Sequence, residues 1–286
     1  MERQFIVRGM LAGALGGLLA FVFARIFAEP PIQDAIDYEG GRDEAQSLLD
    51  QAAGLPAAHE HADPFSRAIQ GSVGLGVGII AFGIAMGALY GVAYALACGR
   101  TGGVRPRPLA LLVAAGGFLA LYLIPFLKYP ANPPAVGNHE TIRDRGGLYL
   151  LMVGVSIVVL VAGVWFGQRL KPRFGTWSAS LLAALACAVV LGVVMLLLPS
   201  LGELPANVRE HGQHATETPL PLTDPQGRVV YPGFPADTLF EFRLYSVAAQ
   251  AILWASIGLC FAPLAERLLT SGSARSRPTA EPATAG

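Results

Sequence analysis

The histidines of this chain stand close to acidic residues in three separate segments. The first segment reads His-Glu-His, the second His-Glu, and the third Glu-His with a further histidine three residues on. Imidazole nitrogens and carboxylate oxygens suit divalent cobalt, nickel, zinc or copper ions. We therefore predict that a divalent metal ion contacts these side chains, namely His59, His61, His139, Glu140, His211 and His214. The competing interpretation is that they only solubilise exposed loops.

The third segment has a pattern typical of a helical turn. Asn207 and Glu210 have the spacing of a capping box, in which each side chain bonds the backbone N–H of the other residue. If the turn is helical, Glu210, His214 and Glu217 share one face, with His211 beside them. A helix here would thus bring the predicted ligands of this segment together.

Patterns of hydrolases, nucleotide-binding proteins and thiolate metal sites are missing from the sequence. The pattern H-E-x-x-H fails because His139 and Glu140 are followed by Thr-Ile-Arg, and no G-x-S-x-G occurs. Neither lysine, Lys128 or Lys171, lies in a P-loop, and the three cysteines match no C-x-x-C spacing. A formal net charge of zero leaves no basic excess for phosphates. We therefore expect no enzyme, no bound cofactor and no nucleic-acid partner.

The elements that carry these residues are predicted to be membrane-spanning helices. Hydrophobic residues make up 53% of the 286 residues and charged residues only 14%, against about 25% in soluble domains. Lipid admits only helices and closed barrels, and the continuous apolar runs lack the alternation of barrel strands. Six runs are long enough to cross a hydrocarbon core of ~30 Å, at residues 9–28, 69–97, 109–127, 146–167, 178–198 and 244–264.

The predicted fold class is an all-α membrane protein, a bundle of about six transmembrane helices with three extracytoplasmic loops. We predict a single integral membrane domain over residues 1–269 and a disordered cytoplasmic tail over 270–286. The first run exceeds the apolar region of a secretory signal, so we interpret it as an uncleaved span. Glycines four residues apart in the first, second and fourth runs predict closely packed helices.

The distribution of charge predicts the orientation of the spans. Basic residues gather in both terminal segments and in the loops after the second and fourth spans, at Arg3, Arg8, Arg100, Arg105, Arg107, Arg169, Lys171, Arg173, Arg267, Arg275 and Arg277. By the positive-inside rule these segments, and therefore both termini, are cytoplasmic. All five histidines, and all acidic residues except Glu2, Glu266 and Glu281, then fall on the outer side.

Two outer loops have further predicted structure. In the first, apolar residues over 45–52 have helical spacing, and Asp43 with Gln46 would cap a short amphipathic helix. The second, 128–140, has three prolines within five positions and is predicted to be stiff and extended rather than helical. Its side chains would therefore be held in defined places.

Four segments together are typical of one protein family. They are the run RGMLAG at 8–13, the His-Glu-His element at 59–61, the proline-rich loop KYPANPPAVG at 128–137, and the corner FPAD at 234–237 followed by FEFRL at 240–244. On these residues the chain resembles the CbtA family of predicted cobalt transporter subunits. Family members often carry a longer His/Glu run in the first outer loop than the three residues found here.

The resemblance implies a bacterial inner-membrane protein that takes up Co²⁺, the transported substrate, for cobalamin synthesis. It also implies a small single-span, His-bearing partner of the CbtB type, besides the surrounding membrane lipid. Two alternatives stay open. One is an accessory scaffold through which no ion passes. The other is a permease for a small organic solute, which predicts an aromatic-lined cavity built from Tyr122, Tyr129, Tyr231, Phe234 and Trp254.

Overall fold

The computed structural model describes residues 2–55, 69–101, 103–212 and 217–275, and 82% of it is helical. Within this part of the chain, five helical segments are long and apolar enough to cross a membrane: Glu2–Ala52, Gly71–Ala97, Pro106–Lys128, His139–Arg209 and Ala236–Thr270. The predicted all-α membrane class is therefore confirmed. The predicted number of six spans is not confirmed.

The first segment runs from helix α1 (Glu2–Phe23) through a π-helical turn (Ala24–Ala28) into helix α2 (Glu29–Ala52). The prediction of a separate helix capped at Asp43 is wrong, because α2 begins at Glu29 and includes that residue. Two prolines follow Glu29, and neither has the backbone N–H that would continue the helical hydrogen bonding from the preceding turn. The wide π turn before them lets the helix continue without a break.

The described residues form two compact units. The first is built from parts of Met1–Phe21, Gly76–Gly117 and Ala251–Gly286, and the second from parts of Val22–Leu75 and Phe118–Gln250. Each unit contains pieces of several helices that are distant in sequence. The predicted single domain over 1–269 stays a prediction.

Helix α3 (Leu75–Ala97), preceded by a π turn (Gln70–Gly74), packs against α1 in the first unit. The two helices meet along their glycines, Gly9, Gly13 and Gly17 on α1 and Gly83, Gly87 and Gly91 on α3. A methyl group added to Gly87 would lie 3.0 Å from the Cα of Gly13 and closer still to the carbonyl oxygen of Gly9. The backbones are therefore in direct contact, as the glycine spacing predicts.

Helix α4 (Pro106–Phe118) completes the first unit together with the second half of the last helix. The Tyr90 hydroxyl donates a hydrogen bond to the Ala110 carbonyl, 2.9 Å away. Arg107 and Glu266 form an ion pair with a nitrogen–oxygen distance of 2.6 Å. The pair joins the first turn of α4 to the last helix, and the charge distribution predicts that both places lie on the same side of the membrane.

In the second unit, α4 continues through a π turn (Leu119–Leu123) into helix α5 (Ile124–Lys128). Pro125 explains the irregular turn, because proline lacks the N–H that would bond the carbonyl of Leu121 four residues earlier. The Tyr149 hydroxyl donates to that carbonyl instead, at 3.3 Å. The neighbouring helix thus satisfies the acceptor that proline leaves open.

Helix α6 (Ile142–Leu197), which follows a 3-10 turn (His139–Thr141), is too long at 56 residues to be one straight span. Its backbone leaves the helical region at Gly175, where φ is 73° and ψ is 170°, a conformation that suits glycine. The Cys187 thiol contacts the Val159 carbonyl at 3.5 Å, so the chain folds back on itself. The two halves coincide with the predicted fourth and fifth spans.

The rest of the second unit is small irregular structure between α6 and the last helix. A 3-10 turn (Leu201–Glu203) leads into helix α7 (Pro205–His211), and strands β1 (Leu222–Thr223) and β2 (Val229–Tyr231) form an antiparallel hairpin. Backbone N–H donors in the hairpin turn hold the pKa of Asp224 below its usual range. Helix α8 (Ala236–Arg275) ends the described chain. It overlaps the predicted tail 270–286, whose remainder lies outside the described residues.

Candidate functional site

The proline-rich segment 128–137 is held to the second unit by its own side chains and by an arginine of α8. The Lys128 ammonium donates to the Leu198 carbonyl at 2.8 Å, and the Tyr129 hydroxyl donates to the Pro199 carbonyl at 3.0 Å. Tyr129 is buried, which raises its pKa. These two bonds attach the start of the segment to the end of α6.

Arg243 of α8 holds the middle of the same segment. Its Nε donates to the Ala131 carbonyl at 3.3 Å, and its Nη2 donates to Oδ1 of Asn132 at 2.8 Å. The guanidinium suits this task because its donors are fixed in one plane. Residues 129–138 are non-helical, as the prolines predict, whereas Lys128 still belongs to α5 and a 3-10 turn begins at His139. The segment is fixed in place at both points.

The segment ends in a tight turn that directs the predicted ligands of the second loop. Ala135 and Gly137 both have positive φ, 67° and 122°. The next residue, Asn138, caps the 3-10 turn, since its Oδ1 accepts from the Glu140 N–H at 2.8 Å. His139 and Glu140 follow this cap, and both side chains are exposed.

A buried carboxylate lies beneath this turn. The Glu217 side chain is only 1% exposed, and its Oε1 accepts from the Thr141 hydroxyl at 2.8 Å and from Nδ2 of Asn207 at 2.7 Å. Its Oε2 lies 3.3 Å from Nη1 of Arg145, which is 25% exposed. We call these four residues the Glu217 cluster. It joins the start of α6 to α7 and to the segment after it.

The cluster satisfies its polar groups incompletely. Among the described residues, neither Oε2 of Glu217 nor Oδ1 of Asn207 has a hydrogen-bond partner, although the ion pair with Arg145 faces the former. The Asn207 amide is oriented by two acceptors, because its Nδ2 also donates to the Leu201 carbonyl at 2.7 Å. The buried Glu217 carboxylate has few other groups to bond. Moving its partners away would leave the charge unpaired in the interior, so we expect the cluster to hold together firmly.

The predicted capping box in the third loop is wrong. Leu204, not Asn207, stands at the N-cap of α7, and the Asn207 side chain bonds Glu217 inside the protein. The helix ends at His211, followed by Gly212 with φ of 75°, so Glu217 does not lie on the helical face predicted for it. The Glu217 side chain is instead buried in the Glu217 cluster.

The structure describes the place of only some of the six predicted metal ligands. The exposed Glu140 carboxylate lies 3.4 Å from the Arg209 guanidinium of α7, the helix that ends at His211. The second and third loops are therefore adjacent. Among the described residues, no group of three or more His, Cys, Asp or Glu side chains is placed to hold a metal ion. His59, His61 and His214 lie outside the described residues.

Sequence reasoning missed the structural importance of Arg145 and Arg243. Each lies within the first turns of a long apolar helix. From the sequence alone, a charged residue in such a position is expected to face solvent. The signal that could have found them is their position in the first turns of apolar helices, because a guanidinium removed from water needs acceptors from the protein. Both find those acceptors in segments far away in sequence.

Replacing Arg243 by alanine is expected to loosen the proline-rich segment. The variant loses two hydrogen bonds, and each contributes about 1 kcal/mol. Amide hydrogen exchange at residues 129–136 should accelerate about tenfold or more, measured by mass spectrometry on purified protein. The matched control is Arg209→Ala, because Arg209 is 74% exposed and forms only a surface pair. Equal exchange in the two variants would show that Arg243 does not restrain the segment.

A cavity of about 340 Å³ lies beside the proline-rich segment in the second unit. Of the aromatic residues predicted to line a solute cavity, Tyr122 and Tyr129 line this one. Phe234 instead packs in a buried cluster with Ala35 and Val136, against which Tyr231 also packs. The fifth, Trp254, is buried in the first unit against Gly117. Two of the five aromatic residues predicted to line one cavity therefore line this one, and the other three lie elsewhere.

Comparison with models of protein families gives a match over most of the chain. A family model described as a probable cobalt transporter subunit, CbtA, matches residues 2–266 of the chain. The matched region begins with α1 and reaches into α8, so it contains the proline-rich segment and the whole Glu217 cluster. Neither the curated proteins nor the solved structures contain a significant match.

Proposed function

The chain belongs to the CbtA family of probable cobalt transporter subunits, and from this premise we propose that it carries Co²⁺ across the inner membrane of a bacterium. In this proposal the chain crosses the membrane six times, since α6 folds back at Gly175, and both termini are cytoplasmic. The exposed His and acidic side chains of the outer loops make the first contacts with the metal. The imported cobalt serves cobalamin synthesis.

One observation supports the proposal that the outer loops make the first contacts with the metal. The Glu217 cluster holds the second and third loops together, and it does so directly beneath His139 and Glu140. A metal ion arriving at these loops therefore meets side chains from both of them rather than from one flexible segment. Exposed, replaceable ligands suit a transporter, because its substrate must be released again.

The membrane potential supplies enough energy for this transport. Moving one positive charge inward across 100 mV is worth about 2.3 kcal/mol, so a divalent cation gains about 4.6 kcal/mol. That corresponds to more than a thousandfold accumulation. Neither lysine of the chain lies in a P-loop, and the proposal needs no nucleotide hydrolysis by this chain.

The family description as a subunit implies a partner. We propose a small single-span, His-bearing protein of the CbtB type, held with this chain in the lipid bilayer. Such a partner would supply further imidazole ligands to a chain that has only five histidines. It would also add a helix to the transport route.

Deleting the chain from its host is expected to lower cobalt accumulation severalfold at limiting external Co²⁺. Restoring it with His59→Ala and His61→Ala, or with His139→Ala and Glu140→Gln, should recover only part of the uptake. The loss should shrink as Co²⁺ is raised, because weaker ligands are compensated by mass action. Radioactive cobalt counted in washed cells measures this, and Gln226→Ala, an exposed change in the hairpin, is the control.

Unchanged uptake after deletion would contradict the proposal. Liposomes containing the purified chain separate transport from scaffolding, because an inside-negative potential should draw cobalt in only if the chain forms the route. If cells lose uptake while these liposomes, with and without the CbtB-type partner, admit no cobalt, the chain is an accessory scaffold.

A further inference from the structure

The turn between the two halves of α6 carries a cluster of basic and aromatic side chains. We call residues 165–177, which surround the break at Gly175, the α6 tip. The two halves are in contact close to it, since a methyl group added to Gly167 would lie 3.3 Å from the Cβ of Ala183. The tip therefore connects two adjacent helix halves and stands at one end of both.

Two arginines of the tip lie over aromatic rings. The guanidinium carbon of Arg169 is 4.9 Å from the centre of the Trp165 ring. That of Arg173 is 5.3 Å from the centre of the Phe174 ring. Such contacts orient a guanidinium and leave most of its five N–H donors for other partners. Because they are spaced four residues apart, Trp165, Arg169 and Arg173 form one row along the helix.

The cations of the tip have no acidic partner within the described part of the chain. There the side chains of Arg169, Lys171 and Arg173 form no ion pair and donate no hydrogen bond, and both arginines are exposed. The acidic residues nearest in sequence are Asp144 and Glu203. At 1.5 Å per residue, the helix from Asp144 to Arg169 spans about 37 Å. Three positive charges thus stand together without a counter-charge, and they attract an anion.

The surface beside these cations is apolar and exposed. Trp165 is 59% exposed and Trp177 is 77% exposed. On the adjoining turns of the two halves, the exposed apolar residues are Val161, Val164, Leu181 and Leu182. In a membrane protein such a surface contacts lipid, and tryptophan prefers the boundary between acyl chains and headgroups. We therefore expect the cations of the tip at the level of the lipid phosphates.

We propose that the α6 tip binds the headgroup of an anionic phospholipid. The lipid phosphate accepts hydrogen bonds from Arg169 and Arg173, and Lys171 adds a third positive charge. The acyl chains lie along the exposed valines and leucines of the two halves. An acidic segment of a partner protein has the matching charge, but it gives no role to that apolar surface. The proposal goes beyond cobalt transport and does not depend on it, since it requires only that the chain lies in a membrane.

The tryptophans of the tip can report this binding directly. Of the three tryptophans in the chain, only Trp254 lies elsewhere, and it is buried in the first unit. The full chain is reconstituted in phosphatidylcholine vesicles with a rising fraction of phosphatidylglycerol that carries bromine on its acyl chains. Bromine quenches nearby tryptophan fluorescence, so the fraction at half-maximal quenching gives the binding constant of phosphatidylglycerol relative to phosphatidylcholine. We expect a ratio of at least ten, because each cation near an anionic lipid contributes about fivefold.

The decisive variant changes the three cations of the tip to glutamine, as Arg169→Gln, Lys171→Gln and Arg173→Gln. Its ratio should fall to within about twofold of one, because the charge is removed while both tryptophans remain. The matched control removes the same charge at exposed positions outside the tip, as Arg3→Gln, Arg100→Gln and Arg105→Gln. The control should keep the ratio of the parent within about twofold.

Equal quenching of the parent by brominated phosphatidylglycerol and brominated phosphatidylcholine would overturn the proposal. So would a tip variant that keeps the preference of the parent, or a control variant that loses it, since the tip would then not be where the anionic lipid binds. If the vesicles show no preference and the tip variant still lowers cobalt uptake in cells, an acidic protein segment occupies the tip. That result also overturns the assignment to lipid.

Discussion

Replacing Gly87 by alanine is expected to destabilise the first unit by about 3 kcal/mol. The added methyl group would meet the carbonyl oxygen of Gly9 and the Cα of Gly13, which belong to the backbone of α1. A backbone cannot swing aside as a long side chain does, so the two helices must separate along their length. The loss should appear as a lower midpoint in thermal unfolding of the detergent-solubilised protein and as a smaller folded yield.

Gly78→Ala is the matched control for this prediction. Gly78 lies on the same helix, and no atom lies within 4 Å of the position that its methyl group would take. There alanine should be neutral or stabilise by up to ~1 kcal/mol, because it has the higher helix propensity. Similar midpoints for the two variants would mean that the close contact of α1 and α3 contributes little to stability.

Replacing Glu217 by alanine is expected to cost about 3 kcal/mol, the second large effect. The variant leaves the Arg145 guanidinium without its counter-charge, and it removes the acceptor shared by Thr141 and Asn207. The second and third loops lose their buried contact and keep the exposed Glu140–Arg209 pair. Thermal unfolding measures the loss, and faster amide exchange at residues 138–141 should accompany it.

Two further variants separate the contributions at Glu217. Glu217→Gln keeps an acceptor for Thr141 and Asn207 but removes the charge, so its loss should be intermediate. Glu140→Ala is the control from the neighbouring turn, because its partner Arg209 is exposed and surface pairs contribute at most about 1 kcal/mol. A Glu217→Ala variant no less stable than Glu140→Ala would remove the basis for joining the loops through this carboxylate.

The Glu217 cluster also offers a test of the proposed cobalt uptake. Since it positions the loops that carry His139, Glu140 and His211, loosening it should weaken uptake without removing any proposed ligand. The Glu217→Gln variant is the suitable test in cells, because it keeps more of the fold than Glu217→Ala. Its uptake should fall mainly at limiting Co²⁺, as in the histidine variants.

The third loop shows where reasoning from sequence fails. The spacing of Asn207 and Glu210 fits a capping box, but the proline at 205 begins the helix earlier, with Leu204 at the N-cap. Asn207 is thereby inside the helix, and its amide turns to a buried acceptor. The spacing of neighbouring residues cannot reveal this hydrogen bond. Its acceptor, Glu217, belongs to a segment that only the fold brings close to Asn207.

The sequence by itself determined the helical class, the approximate positions of the apolar segments and the family. These follow from local composition, because every stretch of chain in lipid must bond its own backbone and must be about 20 residues long to cross. Only the tertiary structure decided that the helix from Ile142 folds back at Gly175, that Arg243 holds the proline-rich segment, and that Glu217 faces Arg145. Those contacts join residues that are far apart in sequence. The partner of a buried charge is whichever group the folded chain places beside it, and the sequence near the charge does not show which group that is.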